Sequence, residues 1–148
     1  LNSLQWLMDI QTDAGGHFVP IGNREWYRRG AAKSRFDQQP IEALHMIEAC
    51  REAYQATGSF RWIEFSQQCI GWFLGRNDLN MPLYDHDSGG CRDGLGADGS
   101  NRNQGAESTL VWILSLLNLM RMRSMTVSLD TSIEGETAYD SVKSIHVN

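Results

Sequence analysis

Residues 101–110 read NRNQGAESTL and lead directly into the apolar run VWILSLLNLM at 111–120. The chain writes a similar stretch once before, RFDQQPIEAL at 35–44, and a shift of 65 positions lays Gln39 on Gln104, Pro40 on Gly105 and Glu42 on Glu107. In both copies Q-x-x-E opens a helical pattern, and Pro40 stands at the first helical position, where a missing N–H costs nothing. The likeness extends backwards, because Trp6-Leu7-Met8 and Trp72-Phe73-Leu74 each precede a long connection that ends in this motif. The unit is helix, long loop, helix, with a period near 65. Helical pairs repeated in this way bury their apolar faces only against their neighbours, which gives solenoids or closed toroids. In a closed toroid the long loops gather at one end, around a funnel lined by the starts of the inner helices.

Hydrophobic spacing supplies the helices. Leu1, Leu4, Leu7 and Met8 mark one over residues 1 to about 12. Ile41, Leu44, Ile47, Cys50 and Tyr54 mark a second from Pro40 to a stop before Gly58. Trp62, Phe65, Cys69, Trp72 and Phe73 mark a third over about 59–76, and a fourth over about 105–121 is apolar almost all round, the signature of a helix buried on most sides. The intervening loops, about 13–38 and 77–103, are long for a helical domain and rich in His, Trp, Tyr, Asp and Arg, which favours function over disorder. HFVPIG at 17–22 reads as a short extended piece within the first. The expected fold is all-α, with helical hairpins forming part of an (α/α) toroid over 1–121 and a polar tail or loose strands over 122–148.

Composition narrows the function classes. The chain has 148 residues, 41% of them hydrophobic and 21% charged, with a formal charge of −5, and its lysines are Lys33 and Lys143 alone. With no basic run, nucleic acid is excluded as a partner. Cys50, Cys69 and Cys91 show no C-x-x-C spacing, so free buried thiols are expected rather than a disulfide framework or a zinc site. No membrane span or leader is read, which sets a cytoplasmic expectation, and the start at Leu1 in mid-pattern reads as a piece of a longer chain.

The strings FDQQPIEA, WFLGRNDLNMPLYD, SGGCRDGL and NRNQGAESTL resemble the C-terminal part of a group of bacterial six-hairpin (α/α) toroid proteins, over roughly residues 4–121. These proteins occur fused or adjacent to retaining GT-B-type glycosyltransferases and are related to the six-hairpin glycosidases. The resemblance implies a carbohydrate ligand and, as partner, a glycosyltransferase domain or the remainder of the toroid.

Glycoside cleavage needs a protonated carboxylic acid beside the leaving oxygen and a second carboxylate as base or nucleophile. Glu42 and Glu107 lie in first helical turns, where the dipole favours the ionised form, so they suit the base or the binding of sugar hydroxyls. Asp37, two positions before the helix start and next to Phe36, is the expected general acid, with Asp93 in the glycine-rich GGCRDGLG or Glu107 as its partner. Arg92 beside Asp93 is expected to hold it ionised. Arg35, Gln38, Gln39, Asn101, Arg102, Asn103 and Gln104 supply the donor and acceptor density that a polyhydroxylated ligand requires. Trp26, Tyr27 and Tyr84 are the loop aromatics available for stacking on a sugar face, whereas Trp6, Trp62, Trp72 and Trp112 fall within helical stripes and read as core. His17 and His86 lie in the loops, and their meeting would point to an epimerase. Asp85 and Asp87 alternate before Gly89 as in a calcium loop, but the closing acidic residue is missing, so neither a metal nor a cofactor is expected. The alternatives are thus a glycosidase-like hydrolase, a non-catalytic glycan-binding or scaffolding domain, and an epimerase. Within these, Q-x-x-E also reads as a plain capping box, in which Glu42 reaches back to the helix start.

Overall fold

Pro40 opens a helix because Gln39 before it is extended, and Gly58 closes that helix in the left-handed region, φ 65°, donating its N–H to Tyr54 O at 2.8 Å. In this computed structural model, which describes the backbone of residues 1–145 and the side chains of residues 1–126, the helices are α1 (Asn2–Ile10), α2 (Pro40–Thr57), α3 (Arg61–Phe73) and α4 (Ala106–Ile145). A single antiparallel ribbon, β1 (Leu95–Gly96) and β2 (Gly99–Ser100), sits in the second long loop among the described residues. The chain is therefore predominantly helical, with one small ribbon that hydrophobic spacing did not reveal: pieces of two residues carry no period. The segment from 122 onward differs more. It was expected as a tail or loose strands and instead continues α4 to Ile145, while residues 146–148 lie outside the described part. Among the described residues, no helix is long and apolar enough to cross a membrane.

Three helices fix the direction of the frame. The link from α2 to α3 is tied where Thr57 Oγ1 accepts Trp62 Nε1 at 2.9 Å, and the far end of α3 returns to the start of α2, where Trp72 Nε1 donates to Gln38 Oε1 at 2.6 Å. So α2 and α3 run in opposite directions. Helix α4 runs the same way as α2. Both begin beside one cavity, and about three turns further along Arg51 Nη1 donates to Asn118 Oδ1 at 2.6 Å.

The core lies where α2, α3 and α4 meet. Trp62, Trp72, Phe73, Ile47 and Phe18 are fully buried, with Phe18 edge-on to Phe65 and Phe73 against Trp112 at 5.2 Å. Cys50, Cys69 and Cys91 are free and buried, and burial pushes the Cys50 and Cys91 thiols up to about 12, which leaves them inert at neutral pH. Two expectations about burial need correction. Trp6 is 44% exposed and lies near Tyr27, because the stripe that α1 turns inward is Leu4, Leu7 and Met8, on the opposite side of the helix. Helix α4 is not enclosed on most sides: its apolar residues fall into a buried face at Val111, Trp112, Leu119 and Met122, and an exposed one that includes Leu110, Leu114 and Leu117.

Candidate functional site

The two long loops are tied together through Gln38. Its backbone exchanges both hydrogen bonds with Leu95, at 3.0 and 2.9 Å, and the residue is 1% exposed with its side-chain nitrogen and oxygen both bonded. The side-chain N–H groups donate to Arg35 O at 2.6 Å and Asp78 Oδ2 at 2.9 Å, while the oxygen accepts from Trp72. A buried amide left unpaired would cost about 1–3 kcal/mol, so these bonds fix where α2 starts. Gly94 is required at this crossing, because a Cβ there would stand 2.5 Å from Gln38 O.

Asp78 is the second anchor. Its carboxylate, 2% exposed, takes Arg35 Nη2 at 2.6 Å and His17 Nε2 at 3.1 Å on one oxygen and Gln38 on the other. Arg35 also reaches Asp13 Oδ2 at 3.1 Å. Asp13, His17 and Asp78 bring ligand atoms within 4.8 Å of one another, a spacing that suits a metal ion, but Arg35 already supplies the positive charge at two of the three. Arg35, Gln38 and His17 are thus parts of a loop-fastening network, and Arg35 and His17 also line an open hollow of about 320 Å³ with Asp78 and Asn80.

Beside this network the loops enclose an open cavity of about 420 Å³. One wall is Asn23, Arg24, Asp37 and Gln39; the other is Asp93, the β1–β2 ribbon with its Ala97–Asp98 turn, and Asn101. Asp37 adopts the left-handed backbone region at φ 62°, uncommon outside glycine, and its carboxylate accepts Arg24 Nε at 3.0 Å. Phe36 does not shield it: the side chain is 36% exposed and faces the cavity. Trp26, also in the left-handed region and 65% exposed, lines a second open hollow of about 470 Å³ that shares Arg24 with the cavity and so adjoins its rim.

Asp93 is placed in the same cavity but is already committed. One oxygen accepts Gly105 N at 2.7 Å and Ser108 Oγ at 2.8 Å, the other accepts Asn103 Nδ2, and these bonds, with Asn103 the largest, hold its carboxyl below the ordinary range. It caps α4 from twelve positions away. Arg92 does not pair with it and instead donates to Asn101 O at 3.5 Å. Gln104 bridges Ser88 Oγ and Asp85 Oδ2, and Asp85, lowered chiefly by Gln104, closes the 85–89 turn by accepting Asp87 N at 3.0 Å. The alternation of Asp85 and Asp87 is accounted for by that turn.

Glu42 overturns the expectation drawn from the helix dipole. Burial pushes its carboxyl up to about 7, partly offset by Lys33, and Oε2 is buried with no hydrogen-bond partner. Desolvation outweighs the first-turn field here. Neither half of a capping box forms: Glu42 makes no bond back to the Gln39 N–H, and Gln39 makes no side-chain cap bond. Glu107 is exposed and is not part of the cavity wall. Arg102 is exposed. Tyr84 stacks on Trp112 at 4.8 Å and meets His86 edge-on, so it packs beneath the loop. His17 and His86 have separate neighbours, Asp78 and Tyr84 respectively.

Asp78, Asn23 and Arg24 were not among the residues singled out from sequence. Asp78 stands within the motif WFLGRNDLNMPLYD, and the signal was its position immediately after Asn77, whose side chain folds the chain back by bonding Trp72 O, Met81 O, Leu79 N and Met81 N. Arg24 carries no pattern signal at all. Comparison with protein-family models and with curated proteins yields no match.

Proposed function

We propose that the chain is part of an (α/α) toroid and that the cavity between its two long loops binds carbohydrate, with recognition as its role. The observation that carries the reading is the commitment of Asp93. Of the carboxylates lining the cavity it lies opposite Asp37, yet Oδ1 is held by Gly105 and Ser108 at the start of α4 and Oδ2 by Asn103, and these bonds, which lower its carboxyl, weaken it as a base. What remains open to a ligand is Asp37 with Arg24, the exposed Asp98, the amides Asn23 and Gln39, and the glycine-rich ribbon backbone, a set suited to sugar hydroxyls. Trp26 at the rim offers an apolar ring face. A glycosyltransferase domain as partner follows from the sequence resemblance alone.

Hydrolysis is the second reading, favoured by the presence of Asp37 and Asp93 on the two facing walls of one cavity. Calorimetric titration and a turnover assay on one oligosaccharide panel separate the two. Recognition gives binding without turnover, and Asp37→Asn weakens it about tenfold, the scale of one charge-assisted hydrogen bond. Hydrolysis gives turnover that falls a hundredfold or more in Asp37→Asn with binding little changed. Absence of binding to any glycan at millimolar concentration removes both.

A further inference from the structure

We infer that the exposed face of α4 pairs with the same face of a second copy of this chain, antiparallel, about a two-fold axis at Leu114. Leu110, Ile113, Leu114, Leu117 and Met120 are all exposed, between 42% and 64%, and they share one side of α4 opposite the face that meets the core. Monomers rarely present a contiguous apolar stripe of this kind. Within it Leu110, Leu114 and Leu117 keep the alternating three-and-four spacing of a helix–helix seam.

Charge selects the occupant and its direction. Continuing the same spacing in both directions reaches Glu107 and Arg121, both exposed and neither with an ion-pair partner among the described residues. They lie seven positions before and seven after Leu114, so the seam begins with an acid and ends with a base at equal distance from its centre. An antiparallel copy places Glu107 opposite the partner's Arg121 at both ends, as an isologous two-fold contact demands. A parallel copy would set Glu107 against Glu107 and Arg121 against Arg121. The face is therefore self-complementary in one orientation and repulsive in the other. The inference rests on α4 alone and not on the carbohydrate reading; the remainder of a toroid is the competing occupant of this face, and a chain that stays monomeric leaves the face to it.

Sedimentation of the chain between about 1 and 100 µM is expected to show the mass rising from 16.7 kDa towards twice that value. Leu114→Glu places two carboxylates on the axis and is expected to leave a monomer at every concentration, with its helical circular dichroism intact because the site is already exposed. Glu107→Lys alone weakens association about tenfold through its two symmetry-related contacts, and adding Arg121→Glu restores it to within about threefold. A wild-type chain that stays monomeric at 100 µM overturns the inference. So does a double variant that associates no better than Glu107→Lys, since only the antiparallel register makes the exchange compensating.

Discussion

The starts of α2 and α4 carry the same Q-x-x-E letters, and the structure uses them in opposite ways. At α2 the glutamine before the motif, Gln38, is buried and fully bonded, Gln39 faces the cavity, and Glu42 is half-buried with an unpartnered oxygen. At α4 the glutamine fastens a turn through Ser88 and Asp85, the glutamate stands in solvent, and the cap comes from Asp93 in the preceding loop. The repeated letters reproduce a backbone event, a helix start after a long loop. Side-chain roles follow from which loop returns over each start, and the two loops differ.

The sharpest way to break the comparison is to remove the anchor that only α2 has. Asp78→Ala leaves the Gln38 amide, Arg35 and His17 without their buried acceptor, and loss of one member of such a network costs about 3 kcal/mol. For a chain of this size the midpoint of thermal unfolding is expected to fall by roughly 10 °C, measured by circular dichroism at one protein concentration. Asp78→Asn keeps the shape and one acceptor, and its loss is expected to be about half as large. A fall of only a degree or two in Asp78→Ala would mean that the loops hold α2 by other means.

The corresponding anchor at α4 is weaker because it faces water. Asp93→Ala removes the acceptor for Gly105 N and Ser108 Oγ, and a lost helix cap costs about 1–2 kcal/mol, hence a fall of roughly 5 °C. Asp93→Asn retains an acceptor and is expected to recover most of it. If Asp93→Ala proved as harmful as Asp78→Ala, the two starts would be anchored alike.

How far the sequence reveals this arrangement depends on the range of the interaction. The helices were legible because their spacing is local: Pro40 and Gly58 bound α2, and the Trp62–Phe73 stripe marks α3, whose expected span of about 59–76 overran Arg61–Phe73 by two residues at the start and three at the end. That both loops serve one cavity was legible from the repeat, and Asp37, Gln39, Asp93 and Asn101 do line it. The roles were not. The capping of α4 by Asp93 spans twelve positions and the Gln38–Trp72 bond thirty-four, separations over which no period survives. The exposed face of α4 was hidden for a different reason: apolar residues on both sides of a helix record that each side is apolar, not which side is covered. The helical stretch after 122 was missed because its letters are polar and its apolar residues are widely spaced.

The finest test of the comparison is the glutamate. With its folded carboxyl raised from the ordinary 4.5 to about 7, Glu42 holds its proton more tightly in the native state than in the unfolded one. Between those values the native chain binds more protons, so stability is fully present below pH 4.5, declines as pH rises, and is flat again above pH 7. A shift of this size corresponds at most to roughly 3 kcal/mol, and partial solvent access together with nearby Lys33 reduces the expected effect to about 1 kcal/mol. Glu42→Gln removes the titration. In urea unfolding across the range it is expected to match the parent near pH 4.5 and exceed it by about 1 kcal/mol at pH 8. The carboxyls lowered in the native state, Asp85 and Asp93, act in the opposite sense and at lower pH, and they cancel in the difference between the two proteins. Should Glu42→Gln be the less stable protein at pH 8, the ionised Glu42 is stabilised by Lys33 more than burial penalises it, its carboxyl is not raised in the native state, and the glutamate at α2 is a charged residue like the one at α4.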